Sequence, residues 1–444
     1  MIDLLVQLDH DALLASLALL CFPGAWLGWL VAENLRHRRH GLAREAELLA
    51  APLPPDRDLP HVLVQIPTFN EPLVIRRIVE AVGAFDWPRD KLHLQVVDDS
   101  TDETTEIARD AIARLRAGGL DAVLLHRRHR DGFKAGALKE GLRRSDHPFV
   151  AIFDADFLPR RDFLRLMLRP LLADPRLAFV QARWECINAD HNALTRAQRV
   201  IIDAQFAVEE AAKLWSVGFA QFSGSCGVWR RAAIEDAGGW RGDTLSEDVD
   251  LSYRALIRGW RAQLLTTVSV PGEVPDNLEA WRAQQARWTK GFAQLARKHL
   301  LALWRSDLDA PLRAVAAINL LVTGFGPLTA IALLSAMIEA LSGGLTQGTI
   351  VLAAIAVVAN VASAAAMGLL GQYWLHDARA AGGARRVLAA MSFFVYAHVL
   401  SAKAVLDGLR GRASIFVRTP KKGAIAELRR DDLAPSAPVD HPGK

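Results

Sequence analysis

The feature that most constrains this chain is an uncharged run at residues 12–32, ALLASLALLCFPGAWLGWLVA. As a helix it is long enough to cross a hydrocarbon core of roughly 30 Å. Asp3, Asp9 and Asp11 precede it, and Arg36, Arg38, Arg39 and Arg44 follow. A cleaved secretory leader has the opposite polarity, with a basic start, so the run reads as a membrane span. The bias of basic residues then places the chain after about residue 36 in the cytosol.

Residues 312–341 and 348–370 are the next long apolar segments, joined by the uncharged SGGLTQG. They read as a hairpin of two spans, with Arg379, Arg385 and Arg386 marking the return to the cytosol. Residues 387–409 are apolar enough to cross but carry His398, Lys403 and Asp407. A crossing there would put the basic RGRASIFVRTPKKG outside, so the segment is expected to lie as a helix in the interface.

Between about residues 60 and 272 the pattern changes. Short apolar strands HVLVQI, LHLQVVD, DAVLLH and FVAIFDAD alternate with helical stretches at 74–84, 103–117 and 134–144. That alternation predicts an α/β domain on a mostly parallel sheet. A net charge of +4 on 444 residues, with acids among the bases, speaks against a nucleic-acid partner. Cys21, Cys186 and Cys226 have no metal or disulfide spacing and read as reduced thiols.

Ligands of open parallel sheets bind beyond the carboxyl ends of the strands. Three of these strands run into polar clusters there: PTFNE (67–71), DDS (98–100) and DAD (154–156). Any one alone would also suit a turn or a helix cap; together they gather at one edge. On an extended chain Asp154 and Asp156 project to the same side, and hard oxygen donors so placed suit Mg²⁺ or Mn²⁺ holding a diphosphate. Lys134, in the Gly-rich HRDGFKAGALKEG, is placed for a phosphate oxygen. Glu247 and Asp248 begin a helix, where they either favour its dipole or supply a general base that deprotonates an attacking hydroxyl.

The stretch AWRAQQARWTKGF (280–292) is read together with its flanks. Leu278, Trp281, Gln285, Trp288, Phe292 and Leu295 recur at three- and four-residue steps among Arg282, Arg287, Lys290, Arg297 and Lys298. This is the pattern of a basic helix in a membrane interface. Its apolar side is expected to meet lipid or the spans, leaving Gln284, Arg287 and Trp288 for the pocket, with Arg on diphosphate and the indole on a sugar ring.

Taken in order, PTFNE, DDSTD, FKAGALKEG, DADF, VQARWECIN, SGSCGVWRRAAIEDAGGW, SEDVDLSYRALIRGW and QQARW resemble the processive membrane glycosyltransferases of family 2, the cellulose, hyaluronan and mannan synthases. The likeness is greatest to the cellulose-synthase-like glucomannan synthases and covers about residues 60–300. It implies a glycosyltransferase-A-type α/β domain flanked by transmembrane and interfacial helices. The implied activity is inverting transfer of mannose or glucose, from GDP-mannose or UDP-glucose, to a growing β-linked glycan, β-1,4 in the family, with Mg²⁺ or Mn²⁺. Residue by residue, it assigns Thr68, Glu71 and Asp99 to the nucleoside and Lys134 to the donor. Asp154 and Asp156 would hold metal and diphosphate, and Asp248 would be the base. Gln284, Arg287 and Trp288 match the Gln-x-x-Arg-Trp signature, which with Glu247 lines the acceptor and diphosphate end. FVRTPKKG (416–423) resembles the gating loop over the nucleotide, with Thr419 and Lys421 as its polar contacts.

The chain departs from the family pattern at Ser246 in place of Thr, at Ser223 where cellulose synthases have Cys, and at Arg418 where Val is common. It also stops after the gating loop, where larger synthases continue with further spans, which leaves open whether one chain forms an export channel. The expected division is a span with basic linker (1–45), the cytosolic domain (60–272), the interfacial helix (273–310), the hairpin (311–375), and an interfacial helix, loop and disordered tail (376–444). The expected setting is an inner or plasma membrane crossed several times, with a glycan acceptor and either a second copy or an accessory subunit as further partners. Two rival readings are single-sugar transfer to a lipid and an inactive sugar-binding scaffold.

Overall fold

The computed structural model of the chain describes residues 2–376, 383–400, 402–411, 419 and 421–423. Seven strands form one sheet: β1 Val62–Thr68, β2 Leu92–Asp98, β3 Asp121–His126, β4 Phe149–Ile152, β5 Leu177–Cys186, β6 Gly227–Arg230 and β7 Arg261–Gly272. Their order is β3-β2-β1-β4-β6-β5-β7. Strands β1 to β4 pair in parallel, as do β5 and β7, while β6 runs antiparallel to both its neighbours. This is the expected α/β fold with a mostly parallel sheet.

Helices Ile75–Gly83, Thr104–Ala117 and Phe133–Arg143 make the crossovers between the first strands. They cover the sheet closely enough that all seven residues of β1 are buried, so its apolar residues do not alternate with exposed polar ones, and the polar Gln65 and Thr68 are buried with them. At Gly141 a Cβ would meet the Gln65 Nε2 at 2.4 Å. That amide donates instead to Gln95 Oε1 at 3.1 Å, so β1 and β2 are joined by a buried side-chain bond.

Two local expectations are corrected. Strand β4 stops at Ile152, so Asp154 and Asp156 lie on a turn, closed by the Phe157 amide donating to the Asp154 carbonyl at 3.2 Å. The two-residue strand repeat therefore does not govern where they point. The first span also has no linker after it: a single helix runs from Ile2 to Ala50. Its C-terminal part is pinned to the sheet domain. Asn34 donates to the Ala207 and Val208 carbonyls at 2.8 and 3.0 Å, and the Glu45 carboxylate accepts from Thr266 and from the Thr267 amide.

Among the described residues, three helices are long and apolar enough to cross a bilayer: Asp9–Ala50, Phe325–Ser342 and Gln347–Leu375. The first and third approach through Gly24 and Gly28, where a Cβ at Gly24 would lie 2.8 Å from Ala359; small residues at this spacing let helix backbones pack closely in lipid. The expected continuous span at 312–341 is instead divided into Ala310–Leu321, a 3-10 turn Val322–Gly324, and Phe325–Ser342. Gly324, Gly326 and Pro327 are poor residues for continuing a helix. The part before the break is held by the sheet domain, with Asn319 accepting from Lys213 at 2.8 Å and donating to Gln221 at 3.0 Å. Residues 387–409 fall in two helices, Gly383–Leu400 and Ala402–Leu409. The first packs Val387 and Ala390 on Ala197 and Val200. The second sits on the helix Leu278–Trp304, with Gly408 against Ala293 and Lys290.

Candidate active site

The carboxyl ends of the parallel neighbours β2, β1 and β4 lie side by side on one edge of the sheet. Thr68 ends β1, and its hydroxyl lies 3.4 Å from Glu71 Oε2. Asn70 takes a left-handed backbone at φ 55°, and its side-chain oxygen accepts from the Thr101 amide at 2.8 Å, tying the ends of β1 and β2 together. Asp98 serves this turn, accepting from the Ser100 amide and the Thr105 hydroxyl. Its neighbour Asp99 receives the Arg127 guanidinium at 2.6 Å on each oxygen, a bidentate pair.

After β4, each acid meets its own lysine. Lys134, in the first turn of its helix, places Nζ 2.5 Å from Asp154 Oδ1 and 2.8 Å from the Gly224 carbonyl. Lys421 places Nζ 2.5 Å from Asp156 Oδ2 and 2.7 Å from the Glu273 carbonyl. Arg77 donates to the Asp156 carbonyl at 3.0 Å. Burial works against the Lys421 charge, but Asp156, Glu71 and Asp154 hold the ammonium above the usual lysine range.

Glu247 and Asp248 open the helix Glu247–Ile257 and are half-buried. Burial and the adjacent Asp248 charge push Glu247 up to about 7. Burial raises Asp248 as well, against the pull of Lys134. Burial likewise opposes the charge of Lys134, yet Asp154, Glu247 and Asp248 together keep it well above the usual lysine range. Arg287 faces the same three carboxylates, while burial lowers it from the usual arginine value.

Arg287 comes from the helix Leu278–Trp304, capped by the Asn277 side chain accepting from the Ala280 amide at 2.9 Å. Of the two expected partners of its apolar stripe, lipid or the spans, the structure gives the first span together with the sheet domain. Trp281 is only 2% exposed, and Leu295 is fully buried among Trp26, Leu30, Val249 and Tyr253. The stripe is a protein–protein seam, because the helix lies between the transferase-side helix Glu247–Ile257 and the C-terminal helices. Gly291 makes this approach feasible, since a Cβ there would lie 2.1 Å from Ser246 Oγ. Gln284, Arg287 and Trp288, at i, i+3 and i+4, share a half-buried face.

Residues 60–291, just over half of the chain, match the family described as Glycosyltransferase like family 2. The chain belongs to this family. Glucomannan 4-beta-mannosyltransferase 2 of Arabidopsis thaliana is 44% identical over 253 residues, 56% of this chain and 47% of that protein. Glucomannan 4-beta-mannosyltransferase 1 of Cyamopsis tetragonoloba is 40% identical over 273 residues, 61% of this chain and 52% of that protein. The chain thus spans about half the length of the curated relatives it matches. The solved mannosyltransferase PcManGT from Pyrobaculum calidifontis, in complex with GDP-Man and Mn²⁺, shares the fold, with a TM-score of 0.54 at 23% identity over 82% of this chain and 97% of that one.

In this family 2 chain the structure gathers Thr68, Glu71, Lys421, Asp156, Asp154, Lys134, Glu247, Asp248 and Arg287 through successive contacts and charge interactions. Asp99 stands at the β2 end of the same edge, already paired with Arg127. Thr419 is buried; Arg418 and most of the remaining gating-loop-like segment, with the tail, lie outside the described residues. Sequence reasoning did not single out Arg77, Glu273, Arg127 or Ser225, whose hydroxyl accepts from the Asp154 amide at 2.9 Å. Ser225 lay within a quoted motif, but nothing in the sequence linked Arg77 to Glu273.

Proposed function

We propose that this chain is an inverting, metal-dependent hexosyltransferase of a membrane, extending a β-linked glycan from an α-linked sugar nucleotide. The names of its relatives favour mannose over glucose as the transferred sugar. One observation carries the reading: the half-buried Glu247 and Asp248 carboxylates face Lys134 and Arg287 beside the Asp154 and Asp156 turn. In this arrangement Asp248 takes the proton of the acceptor hydroxyl as its oxygen bonds to the anomeric carbon. The bond to the diphosphate breaks on the opposite face, so the configuration inverts, and Lys134 and Arg287 receive the developing charge of the departing nucleoside diphosphate.

Asp154 and Asp156 suit a divalent cation, since both are oxygen donors that already draw an ammonium group each. Bound there, Mg²⁺ or Mn²⁺ would neutralise the diphosphate. Thr68, Glu71 and Asp99 then face the nucleoside, and Gln284 and Trp288 with Glu247 face the acceptor. Thr419 and Lys421 close over the donor. The basic residues after residue 36 support a cytosolic transferase domain in a protein crossing the membrane several times.

Purified protein in detergent, given GDP-mannose or UDP-glucose with Mg²⁺ or Mn²⁺, is expected to release the nucleoside diphosphate of the donor it uses and to build a ladder of oligomers. A single-sugar product would overturn glycan extension in favour of lipid glycosylation. Zero nucleotide release from every donor would support the scaffold reading.

A further inference from the structure

The sheet edge opposite the carboxylates holds a group of side chains that the proposed transfer does not use. His61 sits one residue before β1, His93 is the second residue of β2, and His147 lies two residues before β4. In the parallel register Leu63 pairs with His93, and His61, two residues back from Leu63, points to the same face. Three imidazoles therefore meet. His61 Nδ1 lies 2.8 Å from His93 Nε2, and the His93 and His147 rings stack with centroids 3.7 Å apart. Ligand nitrogens from all three lie within 4.8 Å of one another, the one such cluster of three or more His, Cys, Asp or Glu side chains among the described residues.

We propose that His61, His93 and His147 form a binding site for a transition-metal dication, Zn²⁺ above all, that clips the amino ends of β1, β2 and β4. Imidazole suits such ions, whereas Mg²⁺ and Ca²⁺ take oxygen. A tetrahedral ion with Zn–N bonds of about 2.0–2.1 Å sets its nitrogens about 3.3 Å apart. Modest rotations that unstack His147 from His93 bring the cluster to that spacing. His93 already has outer support: its Nδ1 faces Asp121 Oδ2 at 2.7 Å. That contact holds the Nδ1–H tautomer and leaves Nε2 to face the ion. His61 then turns a lone pair, rather than an N–H, toward the same point. Water or Asp146, whose carboxylate is 3.9 Å from His147 Nδ1, fills the fourth position. The site lies about 20 Å along β1 from the carboxylate edge at the usual strand rise, so it is separate from the transfer chemistry.

The test uses the full chain in detergent, stripped with a chelator and kept in excess Mg²⁺ to fill oxygen-donor sites, then titrated with Zn²⁺ against a chromophoric indicator. We expect one Zn²⁺ per chain at micromolar affinity or tighter, and a raised unfolding temperature. His93→Gln/His147→Gln should lose both effects while keeping the metal-free unfolding temperature and the nucleotide-release rate. Asp121→Ala should weaken binding by about 10–100-fold. Zinc binding that survives the double substitution, or a wild-type chain that takes up none, overturns the proposal.

Discussion

Asp248 lies against Gly224: a Cβ built on that glycine would come 2.7 Å from the Asp248 Oδ2. Gly224 also holds φ +83° and offers its carbonyl to Lys134 at 2.8 Å, so one residue seats both the proposed base and its counter-charge. Gly224→Ala would move the carboxylate and strain the backbone by about 1–2 kcal/mol. Transfer should fall by about 10²-fold, the scale of a misplaced catalytic group, while nucleotide affinity is retained. Turnover and GDP binding measured on the same preparation would separate the two, and full activity would show that the Asp248 position is not critical.

Asp248→Asn removes the proposed base without changing the shape of the side chain, and a loss of about 10²–10⁴-fold in transfer is expected. The wild-type rate should also depend on pH. Glu247 is raised to about 7 and Asp248 above its usual range, so the pair is partly protonated in mildly acidic solution and the rate rises with pH as it ionises. The apparent value of that limb belongs to both carboxylates. Glu247→Gln removes one of the two like charges, so the limb should move to lower pH. The sign for stability is the reverse: the folded, ligand-free chain binds more protons than the unfolded chain between pH 4.5 and about 7, so it loses stability as pH rises through that window. A pH–rate profile beside thermal unfolding at each pH checks both signs.

Much of this site was legible because its acids and bases sit in short motifs at the ends of strongly apolar strands. Strands β2 and β3 fall at the expected residues, since nothing there competes with the apolar pattern. The final three strands were not read as strands, although VQARWECIN lies within or beside β5. For β6 the reason is that it is only four residues long and runs antiparallel inside a parallel sheet, while the longer β5 and β7 carry Gln, Arg, Thr and Ser that interrupt the apolar pattern. The helix carrying Trp281 illustrates a second limit. Periodicity found its apolar stripe, but protein and lipid present the same apolar surface to a helix, and only the fold shows Leu295 against Trp26 and Tyr253. Contacts such as Arg77 to Glu273 join residues 196 positions apart in the sequence and leave no local signal.

Lys421 occupies a carboxylate that is proposed to bind the metal. Asp156 is nearly buried and receives the Lys421 ammonium at 2.5 Å, so cation and lysine compete for it until nucleotide gives the lysine another anionic partner. Lys421→Met should therefore tighten Mn²⁺ binding to the nucleotide-free chain, by about tenfold if close to 1.4 kcal/mol of competition is removed. The same variant should raise the KM for the sugar nucleotide. Calorimetric Mn²⁺ titration and steady-state kinetics give opposite directions if the lysine alternates between Asp156 and the donor. Weakened Mn²⁺ binding would instead make Lys421 a fixed support for the turn.

The buried Lys213 joins the membrane-side helix Ala310–Leu321 to the transferase domain. Its ammonium is fully buried and meets Glu210 at 2.8 Å, Glu209 at 3.1 Å and the Asn319 side chain at 2.8 Å. Asn319 in turn donates to Gln221, at the start of the segment that carries Gly224. Breaking a buried ion pair from one side strands the other charge, and such losses run to about 3–5 kcal/mol. Lys213→Met leaves Glu210 facing an apolar neighbour and should lower the unfolding temperature clearly. Glu210→Gln/Lys213→Met removes the buried charge, leaving only the partly exposed Glu209 without its lysine, and should recover most of that loss, because well-packed neutral residues often replace a buried pair without penalty. If the network also positions the Gln221–Gly224 segment, the double variant will regain stability but not full transfer. Unfolding curves in detergent and nucleotide release, measured for the wild type, the single variant and the double variant, distinguish a purely structural pair from one that sets the geometry beneath Asp248.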